Sequence, residues 1–404
     1  MTKRVLTQKI DAAAMRSRNS GFLLDMIWHA QEISRAEIAR QAGLSPSTVS
    51  AIVRDLEQLG LVQDIGTGSS TGGRRPILLG FCDDAFAIVG VELGATHIAV
   101  VITDLRGRIK VFREQGHPVR TDPPGTLELT RVLIDDALAE ARIPLTRVLG
   151  IGVAIPSPLD PDEPGRMSPF IVPAWAGYDI RAWLHERYQH PIVIDNDANL
   201  GALAEQWWGE RADDLTYIKI GMGVGAGHII RGELYRGAGG SAGEVGHIVL
   251  DPAGPPCRCG NRGCLVMFIG SDVLVARARA HSQYTGGDTL TMGMIIEQAR
   301  EGDVVAQEII AAAGHYLGIA LASLVNILNP AVVVLGGVLA SAGEMLIDPL
   351  RASIRSHALS KSIAETRIVA STLDRRAIAV GAATLVLAAA LRDYTLFPLA
   401  GDTP

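Results

Sequence analysis

The stretch GEVGHIVLDPAGPPCRCGNRGCL, residues 243–265, sets one imidazole and three thiols in the order H-x9-C-x-C-x4-C: His247, Cys257, Cys259 and Cys264. Three thiolates and an imidazole form the closed tetrahedral donor set that Zn2+ takes in structural sites. A lone His or Cys is ordinarily a core residue, and Cys82, the fourth cysteine, gets only that reading. Three cysteines within eight residues are a different matter. They predict a bound zinc ion and a reducing compartment rather than disulfides. Gly254, Gly260 and Gly263 allow the tight turns such a loop needs. The loop has little apolar content, so the ion is expected to pin it structurally.

Outward from this loop the chain alternates strands and helices. Residues 86–92, 98–103 and 110–114 read as successive strands, with turns at Gly94-Ala95 and Arg106-Gly107. A helix over about 126–141 and a buried strand over 148–154 follow. A strand at 192–194 runs into Asp195-Asn196-Asp197-Ala198-Asn199 and a helix over about 200–208. The pattern then repeats: strands at 216–220, 227–230 and 233–235, a long helix stopped by Asn329-Pro330, and a strand at 331–335. Two similar α/β lobes facing a ligand-binding cleft are the simplest architecture. Carboxylates at the end of a strand face such a cleft, so Asp195 and Asp197 can bind hydroxyls or act as a base; alternatively, one of them caps the next helix. The glycine runs at 221–227 and 336–337 can expose amides to phosphate, or simply turn the chain. The weakly charged segment 308–344 and the Ala-rich segment 377–391 read as core, and no apolar leader precedes them. A soluble, cytoplasmic protein without a membrane partner is expected.

The composition is that of an ordinary globular chain, with 48% apolar and 20% charged residues. A net charge of −6 over 404 residues disfavours nucleic acid, but the charge is unevenly placed. Residues 1–80 carry 10 basic and 7 acidic side chains, against 27 and 36 in the rest. The basic head also carries dense helix punctuation. Ser34 with Glu37 forms a capping box flanked by the staple Ile33 and Ile38, and Gly43 is a stop. Ser45 caps the next helix, Pro46 is its first residue, and Val49, Ile52, Val53 and Leu56 follow helical spacing to Gly60. With an earlier helix over about 18–30, this is a helix-turn-helix. Strands at 61–65 and 77–81 add a wing whose tip holds Gly72-Gly73-Arg74-Arg75. Ser45, Ser47, Thr48, Ser50 and Arg54 suit phosphate and base-edge contacts in a major groove, and Arg74 and Arg75 suit a minor groove. Double-stranded DNA is the expected partner, read by a homodimer or homotetramer.

With these motifs in view, the chain closely resembles the ROK family (repressor, open reading frame, kinase) over nearly its whole length. The resemblance rests on Gly243-Glu-Val-Gly-His247, on 257–265, on Asp195-Asn-Asp-Ala-Asn199, and on Gly72-Gly-Arg-Arg-Pro76 behind a winged helix. It implies a winged helix-turn-helix followed by an actin-like, two-lobed sugar-kinase fold. The expected division is 1–82 for the head, 83–198 for the first lobe with a helix at about 377–392 returning to it, and 199–376 for the second lobe with the zinc loop and a dimer surface. The resemblance further implies that Asn196, Asp197, Glu244 and His247 contact a sugar, with His247 shared between sugar and zinc. Asp197 stands where kinase members keep their base. Kinase members carry Asp-x-Gly-Gly-Thr and Gly-Thr-Gly in their phosphate loops. Here Glu92-Leu-Gly94-Ala95-Thr96 and Met222 stand in those places, and Val266 replaces an expected sugar-binding Glu.

These departures favour a sugar-responsive transcriptional repressor of carbohydrate-use genes, like the members that govern xylose or N-acetylglucosamine use, over an enzyme. An active ATP-dependent sugar kinase with a regulatory head is the alternative. A regulator controlled by a protein partner, with a vestigial cleft, is a third.

Overall fold

The computed structural model describes residues 12–69, 75–160, 162–169, 171–281, 289–359 and 365–398. In the head, helix Ala12–Ala30 passes through a short strand β1 (Glu32–Ser34) into helices Arg35–Ala42 and Pro46–Gln58. A hairpin of β2 (Val62–Thr67) and β3 (Ile77–Phe81) completes a sheet of order β1-β3-β2. Ser34 Oγ accepts the Glu37 amide at 3.2 Å and Ser45 Oγ accepts that of Thr48 at 3.1 Å. Gly43 ends its helix at φ 65°. The return half of the expected capping box is replaced: the Glu37 carboxylate pairs forward with Arg40 and Gln41. The unforeseen β1 has three residues, too few to show a period of two; it forms because Ile33 lies opposite Leu79 in the head's core.

Each lobe is built on a five-stranded sheet of the same topology. The first contains β4 (Ala87–Leu93), β5 (His97–Thr103), β6 (Ile109–Gly116), β7 (Val148–Ile155) and β8 (Ile192–Asn196), in the order β6-β5-β4-β7-β8. Strands β4 to β6 are antiparallel neighbours, and β7 and β8 extend the sheet in parallel. The second lobe repeats this with β9 (Leu215–Ile220), β10 (Val224–Ile230), β11 (Glu233–Tyr235), β12 (Val332–Gly336) and β13 (Arg367–Ala370), in the order β11-β10-β9-β12-β13. Strand β13 is a half-exposed edge of four residues, which is why no hydrophobic run announces it. Strand β10 starts at Val224, three residues earlier than expected, because Gly225 pairs with Lys219 on β9 and belongs to the strand. A Cβ on Gly227 would lie 2.2 Å from Ala198 O, so this glycine serves close packing and only 221–223 form the turn.

The second lobe inserts the cysteine-bearing loop and several helices between β11 and β12. The longest, Val304–Leu328, is long and apolar enough to cross a membrane, yet 61% of its most apolar window is buried and it packs along helix Glu344–His357. Asn329 ends it in the left-handed conformation, as its sequence position suggests.

Two helices join the lobes. Asp197–Trp208 leads from β8 towards β9, and Ala377–Arg392 returns from β13 to lie on β4 and β7 and against the first joint helix. Backbone contact is direct: a Cβ on Gly152 would stand 1.8 Å from Ala382 O, and one on Gly381 1.9 Å from Leu200 O. The head is seated on this assembly. Leu23, Leu24 and Ile27 share one apolar core with Ile88, Leu149, Val386 and Leu387. Burial of each such side chain contributes about 1.5–3 kcal/mol.

Candidate functional site

The loop after β11 brings His247, Cys257, Cys259 and Cys264 together, although as many as sixteen residues lie between them in the chain. Their donor atoms all lie within 4.8 Å of one another. His247 Nδ1 is 3.6 Å from Cys257 Sγ, and Cys259 Sγ is 3.6 Å from Cys264 Sγ. Ligands on a tetrahedral Zn2+ lie roughly 3.5–3.8 Å apart, so the donor set fits that ion. Backbone bonds hold the loop in shape: Cys257 N donates to Asn261 O at 2.8 Å and Leu265 N to Ile248 O at 2.8 Å. Gly263, at φ 63°, could not carry a Cβ, which would stand 1.7 Å from Asp251 O. The Nε2 of His247 looks away from the thiols towards Glu244 Oε2, 4.0 Å distant. Burial lowers the His247 pKa, favouring the neutral imidazole that a metal ligand requires.

Across from this loop, the carboxyl end of β8 delivers the Asp195–Asn199 segment. The helix cap is Asn196, neither of the two aspartates: its Oδ1 accepts the amides of Ala198 and Asn199, and its Nδ2 donates to Ser157 O at 3.2 Å. The helix therefore begins at Asp197, three residues earlier than expected. Asp195 is buried and held by Arg236 at 2.6 Å and Asn199 Nδ2 at 2.9 Å. Asp197 is ion-paired with Lys219, which rises from β9. Burial works against the Lys219 charge, but Asp197 and Glu92 outweigh it and keep its pKa raised. Glu92, at the end of β4, is buried with its Oε1 3.4 Å from His97 Nε2. Burial opposes the His97 charge as well, and Glu92 again prevails. Burial and the nearby Asp197 carboxylate raise the Glu244 pKa, so Glu244 feels Asp197 across the cleft. Val266 is half-buried at the start of helix Val266–Ile269.

Sequence reasoning passed over Lys219, Arg236 and Ser157. Lys219 left a signal, as a cation inside the apolar strand LTYIKI. Arg236 and Ser157 left none, since surface-type residues in loops have many uses.

On the head, Ser47, Ser50 and Arg54 are exposed on helix Pro46–Gln58 and Thr48 is half-buried. Ser45 Oγ is occupied as the cap and also bonds Ser47 Oγ at 2.9 Å; Ser50 Oγ donates to Pro46 O at 2.8 Å. Arg75 is exposed at the base of the wing, while Arg74 lies outside the described residues.

Comparison with known proteins agrees with this architecture. Residues 88–389 match the family model described as ROK family, and 23–63 match winged helix-turn-helix DNA-binding. A xylose repressor of Caldicellulosiruptor bescii is 32% identical over 95% of this chain and 98% of its own. The DNA-binding transcriptional dual regulator NagC of Escherichia coli is 31% identical over 95% of each chain. Among solved structures, a ROK family transcriptional regulator homologous to E. coli MLC superposes with a TM-score of 0.79 at 24% identity, over 95% of this chain and 98% of that one. A ROK family glucokinase from Streptomyces griseus, in complex with glucose and AMPPNP, gives 0.64 at 29% identity, over 74% and 98%.

Proposed function

The chain belongs to the ROK family, and on that premise we propose that it is a sugar-responsive repressor of carbohydrate-use genes, cytoplasmic and working as a dimer or tetramer. The head reads a double-stranded operator. Ser47, Thr48, Ser50 and Arg54 enter the major groove with Ser45 fixing the helix start, and Arg74 and Arg75 enter the minor groove. The cleft binds a sugar or sugar derivative through Asn196, Asp197, Glu244 and His247.

One observation carries this reading: the head shares a core with the first lobe, whereas Glu244 and His247 belong to the second. A ligand held by both sides sets the angle between the lobes and thereby the spacing of two heads in a dimer. Its leverage equals its differential affinity for the two arrangements. Zinc held by His247, Cys257, Cys259 and Cys264 supplies no reaction chemistry; it fixes the loop so that His247 presents Nε2 and Glu244 its carboxylate to the cleft.

Sugar phosphorylation is the second reading, favoured by the likeness to the glucokinase. Two features weigh against it. The Asp197 carboxylate is already engaged by the Lys219 ammonium, which occupies an oxygen that a base would have to offer to the sugar hydroxyl. Glu92 also buries an acid beside the turn that would approach a polyphosphate. Mobility shifts on promoter fragments adjoining its own gene, with and without millimolar xylose, glucose or N-acetylglucosamine, are expected to show a complex that one sugar releases. ATP-coupled turnover of any of these sugars, abolished by Asp197→Ala, would establish the kinase instead.

A further inference from the structure

The head and both lobes meet around a second cavity of about 1080 Å3, lined by neither Asp197, Glu244 nor His247. Helix Ala12–Ala30 contributes Trp28, the first joint helix Gln206, Trp207 and Trp208, the second lobe Arg211, Asp213 and Glu233, and the last helix Arg392.

The three indoles form a cluster with ring centroids 5.5–6.2 Å apart, and their commitments differ. Trp28 donates to Leu105 O at 2.9 Å, and the Arg106 guanidinium lies 4.6 Å over its ring. Trp208 donates to Thr384 Oγ1 at 2.7 Å and its ring occupies the space above Gly107. Trp207 is half-buried and its Nε1 has no partner among the described residues. It offers an apolar face with a free donor at its edge.

The charged groups divide in the same way. Asp83 is bound by Arg106 at 2.8 Å and Arg108 at 3.1 Å, and Arg236 is bound to Asp195. Arg211 and Arg392, and opposite in sign Asp213 and Glu233, have side chains without a hydrogen-bond or ion-pair partner among the described residues. Two cations balanced by two carboxylates create no net attraction for an ion. They do supply both donors and acceptors, which is what a hydroxyl-rich neutral molecule consumes. The volume reaches the top of the roughly 300–1,000 Å3 range of ligand pockets, larger than one sugar ring requires.

We propose that this junction binds a short neutral oligosaccharide, one ring lying on Trp207 and its hydroxyls bonding Arg211, Asp213 and Glu233. Such a ligand touches the head and both lobes at once. It acts on head position independently of the cleft.

Calorimetric titration of the full-length protein with xylobiose, cellobiose, N,N′-diacetylchitobiose and xylose tests this. One disaccharide is expected to bind with one equivalent per chain, to retain that binding in Glu244→Gln, and to bind roughly tenfold or more weakly in Trp207→Leu. The variant Arg211→Gln/Glu233→Gln alters two exposed side chains and should melt within about 3 °C of the parent while losing the same binding. No heat from any of the three disaccharides overturns the proposal. So does binding indifferent to both cavity variants, or binding abolished by Glu244→Gln, which would place the ligand in the cleft. If instead xylose and a disaccharide both bind and neither responds to Glu244→Gln, the cleft reading fails while the junction stands.

Discussion

Lys219 shows what a single side chain does at the floor of the cleft. It is a cation on a strand whose other members are buried, and Asp197 is its counter-ion. Removing one partner of a buried pair strands the other, at a cost of about 3–5 kcal/mol. Lys219→Met is therefore expected to lower the melting temperature sharply, and Lys219→Met/Asp197→Asn to recover much of the loss. A double-mutant cycle of thermal melts measures the coupling, and additive effects would contradict the pairing. His228 makes a different demand. It lies buried on β10 with Nδ1 3.0 Å from Thr216 Oγ1, and burial lowers its pKa from 6.5 to about 4. The unfolded chain takes up the proton first. The stability tied to neutral His228 is thus complete above about pH 6.5 and is lost as pH falls towards 4, amounting to ~3 kcal/mol. Melting temperatures followed from pH 7 to 4 should fall less steeply in His228→Asn than in the parent.

Among the elements, the loop that gathers His247, Cys257, Cys259 and Cys264 has little apolar content to support it, so a metal held there should matter to its stability. Cys259→Ser is expected to release zinc, measured by a chromogenic chelator, and to lower the melting temperature of the second lobe. Parent protein that is metal-free yet equally stable would contradict this. The loop was also the most legible element, because thiol spacing in the chain dictates thiol spacing in space. Helix Pro46–Gln58 was legible for a related reason: Ser45, Pro46 and the run Val49, Ile52, Val53 and Leu56 are local signals read within one helix. Strands β1 and β13 were not, since a strand of three or four residues is specified by its neighbour across the sheet. Misassignment of the cap at 195–197 has the same origin. Asn and Asp are equally good caps in sequence, and the choice fell to Asn196 because Lys219 and Arg236, both distant in the chain, claim the two aspartates.

At the scale of the molecule, the uneven charge becomes a division of labour. The head, residues 1–80, carries a small basic excess, while the acidic excess belongs to the rest of the chain. Arg74→Ala/Arg75→Ala should weaken operator binding and flatten its salt dependence by about one unit of log–log slope for each phosphate no longer neutralised. Mobility shifts at several salt concentrations measure this, and an unchanged slope would remove the wing from the interface. The helix Ala377–Arg392 binds these parts together. It lies on β4 and β7 with no room for a side chain at Gly152, and the first helix comes so close to its end that a Cβ on Gly21 would stand 2.6 Å from Arg392 O. That arrangement has a temporal consequence. As the chain leaves the ribosome, the first sheet must wait, one face bare, through the synthesis of the entire second lobe before its cover arrives. The head emerges before both lobes, yet part of the surface on which it rests, at Val386 and Leu387, is made only after the second lobe. A nascent chain can therefore possess its DNA-reading unit long before it possesses the means to control it.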